Sequence, residues 1–200
     1  MGRKLLAGIL GGLVFWMWSF VAHTLLPLGE AGVREIPNEQ ALVASMKTSL
    51  PEQGLYMFPG TGLPADASRA QKGEAMKANS QKIASGPSGI LMYHPARDFS
   101  FLRSVLIELG TNILQLLLVV FLLGRASLNS FGARWWFITT AGILAAISTN
   151  VSYWNWYGFP TSYTLAYGFT ILMGFVFAGL VTAAIVKPGA GMPLAKAAGA

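Results

Sequence analysis

Apolar and polar positions fall in long blocks along this chain. Four runs, at roughly 5–26, 101–123, 135–155 and 162–186, are almost unbroken in aliphatic and aromatic side chains. Each is long enough to cross about 30 Å of hydrocarbon at roughly 1.5 Å per helical residue. The pattern predicts a membrane all-α fold: a four-transmembrane-helix bundle with a small extracytoplasmic α+β cap between its first and second helices. On this reading 1–26 is the first helix, 27–100 the cap, 101–186 the remaining three helices, and 187–200 a flexible Gly-, Ala- and Pro-rich cytoplasmic tail. Arg3 and Lys4 precede the first run, as in a signal peptide. Its length, its Trp16 and Trp18, and the lack of an A-x-A-like site before Pro27 favour an uncleaved helix.

The polar stretch carries its own punctuation. Asn38 reads as the N-cap of a helix with Leu42 and Met46 on one face, stopped by Pro51. Residues 54–59 read as a short strand, 66–83 as a polar helix with Asp66 as its cap, and 89–95 as a second strand. Both strands run Gly, aliphatic, Met, aromatic, Pro, and are expected to pair. The intervening Gly60-Thr61-Gly62 looks like part of a dinucleotide fingerprint, but Pro59 and Pro64 flank it and there is no room for a βαβ unit, so it reads as a loop.

Charge sets the orientation. Between 27 and 98 seven basic residues (Arg34, Lys47, Arg69, Lys72, Lys77, Lys82, Arg97) balance seven acidic ones (Glu30, Glu35, Glu39, Glu52, Asp66, Glu74, Asp98). Arg103 and Glu108 cancel within the second helix, so the whole net charge of +6 rests on Arg3, Lys4, Arg125, Arg134, Lys187 and Lys196. By the positive-inside rule that side is cytoplasmic, with both termini on it. The basic excess reports topology and contact with anionic lipid, not nucleic acid. Only 11% of residues are charged, against about 25% in an ordinary soluble domain. There is no cysteine, which excludes disulfide, thiolate-metal and thiol-nucleophile chemistry.

Three segments, Gly54-Leu55-Tyr56-Met57-Phe58-Pro59-Gly60, Gly86-Pro87-Ser88-Gly89-Ile90-Leu91-Met92-Tyr93-His94-Pro95 and Tyr153-Trp154-Asn155-Trp156-Tyr157-Gly158-Phe159-Pro160, give the chain its character. In them it resembles small four-helix inner-membrane proteins of bacteria that have no known activity. The resemblance spans most of the chain and implies a bacterial inner (plasma) membrane. It brings no catalytic or binding residue with it.

The most informative residue is Glu108. It lies about 10 Å below the start of its helix. There an acidic group costs at most about 2.5–3.5 kcal/mol. Ser104, Glu108, Asn112 and Gln115 follow at i, i+4, i+8 and i+11, one polar stripe that must face protein or water. The stripe serves either as a proton, ion or substrate site, or as packing glue, a buried carboxyl bonded to a neighbouring helix. His23, with Ser19 one turn below, is either hydrogen-bonded to a neighbour or the axial ligand of a haem or chlorophyll. His94 is the only other histidine. Tyr153, Trp154, Trp156 and Tyr157 suit the headgroup layer, where an aromatic ring keeps one end dry and one end wet. Trp135 and Trp136 mark the opposite interface in the same way. Gly8 and Gly12, and likewise Gly174 and Ala178, have the small-xxx-small spacing of close helix contacts, within the chain or between chains.

No HExxH, GxSxG or Walker motif occurs, so no catalytic residue, metal ligand or cofactor is expected. The leading expectation is a non-enzymatic accessory or scaffold subunit of a larger membrane assembly, partnered by lipid and by other membrane proteins or itself. The alternative is a small oligomeric transporter or channel component using the polar stripe.

Overall fold

The computed structural model describes residues 2–187. The tail expected at 187–200 thus lies, beyond Lys187, outside the described residues. Six α-helices and two strands follow in the order α1 (Gly2–Thr24), α2 (Glu39–Ser49), β1 (Gly54–Phe58), α3 (Arg69–Ser85), β2 (Gly89–Tyr93), α4 (Phe101–Leu123), α5 (Phe131–Tyr157) and α6 (Thr161–Ile185). They form two compact units: Glu35–Phe99, and the rest of the described chain.

In the helical unit, α1, α4 and α6 are long and apolar enough to cross a membrane. Helix α5, the third expected span, is not among them although it has 27 residues. Its apolar run is diluted by Arg134, Thr139, Thr140, Ser148, Thr149, Asn150, Ser152 and Asn155. Helix α1 packs on α4 and α6, and α6 packs on α5, whereas α4 and α5 barely touch. The four helices therefore stand in the order α4–α1–α6–α5, with α4 and α5 at the edges.

Small residues set these contacts. A Cβ on Gly12 would lie 2.7 Å from the backbone N of Ile113 and 2.9 Å from the carbonyl of Asn112, and one on Gly8 would meet Leu117. The Gly8/Gly12 spacing thus serves an interface inside the chain, between α1 and α4. Gly174 makes room on α6 for the Phe15 ring of α1, which meets Phe175 edge-on at 5.2 Å, and Ala178 is fully buried. Gly142 of α5 accommodates Phe175 from the other side. Two tryptophans pin α6: Trp18 donates to the Thr170 carbonyl at 2.9 Å and Trp135 to that of Val176 at 3.1 Å.

Ser100 and Ser130 cap α4 and α5 through their hydroxyl oxygens. Gly158, at φ 70°, ends α5 in the left-handed conformation that glycine adopts without a Cβ penalty. Pro160 then opens α6.

In the 35–99 unit, β1 and β2 pair antiparallel, with Leu55 opposite Met92 and Met57 opposite Ile90. These four share one face, since side chains alternate across a sheet. Leu55, Met57 and Met92 are exposed there, and Ala67 is the only buried residue of the unit. Asn38 holds the N-cap position of α2 but makes no side-chain cap bond. The cap of α3 is Ser68, not the expected Asp66: a proline-led turn over Pro64–Ala67 delays the helix. Ser68 Oγ accepts from Gln71 N at 3.3 Å while Gln71 Oε1 accepts from Ser68 N at 2.8 Å, a reciprocal capping box. Ser68→Ala should cost about 1 kcal/mol locally. Hydrogen exchange should show it as roughly fivefold faster exchange in the first turn of α3, with β1 and β2 unchanged.

Candidate functional site

The four-residue stripe of α4 does not act as one unit. Asn112 is buried and its Nδ2 donates to Glu108 Oε1 at 3.3 Å, joining i to i+4 along the helix. Ser104 is exposed and donates to the Ser100 carbonyl at 3.2 Å. Gln115 is half-buried and lies apart. Glu108 itself is exposed on this chain, with no hydrogen bond to another helix among the described residues. Helix α1 lies against Asn112 and Ile113 through Gly12 and against Leu117 through Gly8. Toward the start of α4, Ser100, Leu102, Arg103, Leu106 and Ile107 line a wide, open recess of about 580 Å³.

A second group of polar side chains lies between α1 and α6. Tyr167 of α6 meets the His23 ring of α1 edge-on at 6.0 Å. His23 Nδ1 is 2.8 Å from the Ser19 carbonyl. A carbonyl only accepts, so Nδ1 carries the proton and Nε2 is the nitrogen left over. Gly29, in a 3₁₀ turn at Leu28–Glu30, passes close over this ring, so that a Cβ there would force the imidazole to shift. One histidine and two phenols thus meet where α1 and α6 come together. Among the described residues no three His, Cys, Asp or Glu side chains converge as metal ligands would.

From Tyr167 a continuous file of rings leads to α5. Tyr167 stacks on Tyr163 (5.1 Å), Tyr163 meets Phe159 (5.3 Å), Phe159 stacks on Tyr153 (5.3 Å), and Tyr153 meets Tyr157 (5.9 Å). Of the four aromatics expected at the interface, Tyr153 and Tyr157 belong to this file. Trp154 donates to Thr161 Oγ1 at 3.2 Å, tying α5 to α6, and Trp156 stands free, 76% exposed. The spacing of four from Tyr153 to Tyr157, and from Phe159 through Tyr163 to Tyr167, is the sequence signal that could have disclosed the file.

At the opposite end of the helices, two arginines serve backbone carbonyls. Arg134 is buried; its Nε donates to Ala183 O at 3.2 Å and its Nη1 to Asn129 O at 2.9 Å. Arg3 Nε donates to Ile185 O at 2.7 Å. Ala183 and Ile185 lie in the last turn of α6, whose carbonyls have no partner within their own helix. These arginines, read from sequence only as topology signals, therefore finish α6.

Known protein families, curated proteins and solved structures offer no match to this chain. Asn112 engages one Glu108 oxygen, and no side chain among the described residues hydrogen-bonds to the other. The carboxylate can therefore receive a further hydrogen-bond donor. Among the described residues, no nucleophile side chain hydrogen-bonds to His23 or Glu108 as in an acyl-transfer triad.

Proposed function

We propose that this chain is a non-enzymatic integral membrane protein that crosses a bacterial inner membrane four times, keeps both termini cytoplasmic, and acts as an accessory or scaffold subunit of a larger membrane assembly. The observation that carries the reading is Glu108, two turns inside an apolar helix yet exposed on the isolated chain. Lipid tails cannot solvate a carboxylate, and such groups in spans face protein or water. A partner helix bearing a donor, laid along the edge helix α4, satisfies it. The exposed apolar face of the 35–99 unit supports the same reading, since a two-stranded sheet without a core needs something to pack against.

Packing supports four crossings. Helix α5 is about 40 Å long at 1.5 Å per residue. It packs against α6, its neighbour in the row, which supports its crossing alongside α6. The uncompensated positive charge at the N-terminal end of α1 supports the orientation.

The test is gentle purification from native membranes with mass spectrometry of whatever co-purifies in fixed stoichiometry. The wild-type chain should bring down larger membrane subunits. Glu108→Leu should lower their recovery about tenfold, the loss of one buried charge-assisted bond. Glu108→Gln, which keeps a hydrogen-bonding head, should retain most of them. Recovery of the wild-type chain alone as a homo-oligomer overturns the reading and makes Glu108, Asn112 and Gln115 the lining of a transport path.

A further inference from the structure

We propose that the N-terminal end of α1, together with the facing ends of α4, α5 and α6, binds a phosphate group. A small cavity of about 30 Å³ lies there, and three cations, Lys4, Arg134 and Lys187, line it. The space admits one or two waters, or the oxygens of a phosphate whose remainder stays outside. Lys4 reaches it across Gly124, where a Cβ would stand 2.5 Å from Nζ, so glycine at the end of α4 leaves the ammonium its place.

The helix ends do not neutralise these cations. Helices α1 and α5 bring N-termini to this end, and α4 and α6 bring C-termini. Two partial positive and two partial negative ends cancel, at about half a charge each. The side chains remain: Arg3, Lys4, Arg125, Arg134 and Lys187, with no carboxylate at this end among the described residues. Arg125 lies over the Phe121 ring at 5.2 Å.

Arg134 makes this a built site instead of a diffuse positive surface. It is 7% exposed, and its Nε and Nη1 are fixed on the Ala183 and Asn129 carbonyls. Its Nη2 has no acceptor among the described residues. A guanidinium already held in place loses little freedom when an oxyanion takes its remaining donors. Two flexible ammonium groups beside it supply charge without demanding geometry. A tetrahedral oxyanion with several acceptor oxygens suits that donor set.

Such a phosphate belongs either to an anionic lipid headgroup or to a soluble phosphate, and the probes separate the two. The full chain in mild detergent is titrated by native mass spectrometry with dioleoylphosphatidylglycerol and with dioleoylphosphatidylcholine. Thermal unfolding is followed with and without millimolar inorganic phosphate. Arg134 is left intact because it finishes α6, and the variant is Lys4→Gln/Lys187→Gln. The control Lys77→Gln/Lys82→Gln removes equal charge from α3. The wild-type chain should retain the anionic lipid in preference to the neutral one. Lys4→Gln/Lys187→Gln should hold it about tenfold less tightly, equivalent to about 1.4 kcal/mol, while the control behaves as wild type. Stabilisation of the wild type alone by inorganic phosphate, without lipid preference, upholds the site and makes its ligand soluble. The proposal is overturned if Lys4→Gln/Lys187→Gln matches wild type with both probes, or if the control loses as much as it does.

Discussion

Gly12→Leu is expected to push α1 away from α4 and to cost on the order of 3 kcal/mol. The atoms a side chain would meet there are backbone: the N of Ile113 at 2.7 Å and the carbonyl of Asn112 at 2.9 Å. A side-chain neighbour can change rotamer; a helix backbone must move as a whole. Because Asn112 and Leu116 are buried along the same face of α4, separation uncovers an amide as well as core. The loss should appear as a lower midpoint when the purified protein is titrated with denaturing detergent and followed by helical signal. Gly110→Ala is the control in the partner helix. A Cβ there has nothing within 4 Å, so relief of glycine's conformational cost should leave stability equal or about 0.5–1 kcal/mol higher. Equal midpoints for Gly12→Leu and wild type would sink the close α1–α4 contact.

Arg134→Met should cost about 3 kcal/mol, because the apolar stem is kept while the Ala183 and Asn129 carbonyls lose a charged donor. Its third contact, with Leu128 O at 3.5 Å, lies at the limit of a hydrogen bond and adds little. Arg134→Lys should recover only part of the stability, since one ammonium cannot reproduce the fork that spans two carbonyls on different segments. Detergent titration again measures the loss, and hydrogen exchange should localise it to the last turn of α6. A methionine variant as stable as wild type would show that these carbonyls find water instead.

What could be read in the sequence depended on range. The runs behind α1, α4 and α6 were legible because apolar length is a local property. Helix α5 was legible as a helix, but its polar content shows that a run can look continuous and still fall short of the others. The Gly–Met–aromatic repeat announced β1 and β2, and their pairing needed only two short segments of matched pattern. The glycine spacing of α1 announced close packing without naming α4. The role of Arg134 was hidden, because its acceptor Ala183 lies 49 residues away. The Glu108–Asn112 pair was legible at i, i+4, but that Asn112 is buried while Glu108 is exposed depends on the packing of α4, which no local pattern contains. Phe159, Tyr163 and Tyr167 were visible at their spacing, yet only the fold joins them to His23.

The row α4–α1–α6–α5 has a consequence for how the chain is made. Helix α1 emerges first, and both its neighbours come later, one of them last of all. Its glycine face waits for α4 and its Phe15 waits for Gly174 of α6. Chains usually settle from the N-terminus as they are synthesised. Here α1 lacks one of its two neighbours until α6 has been made, so the packing of α1 waits on a helix that follows it by more than a hundred residues.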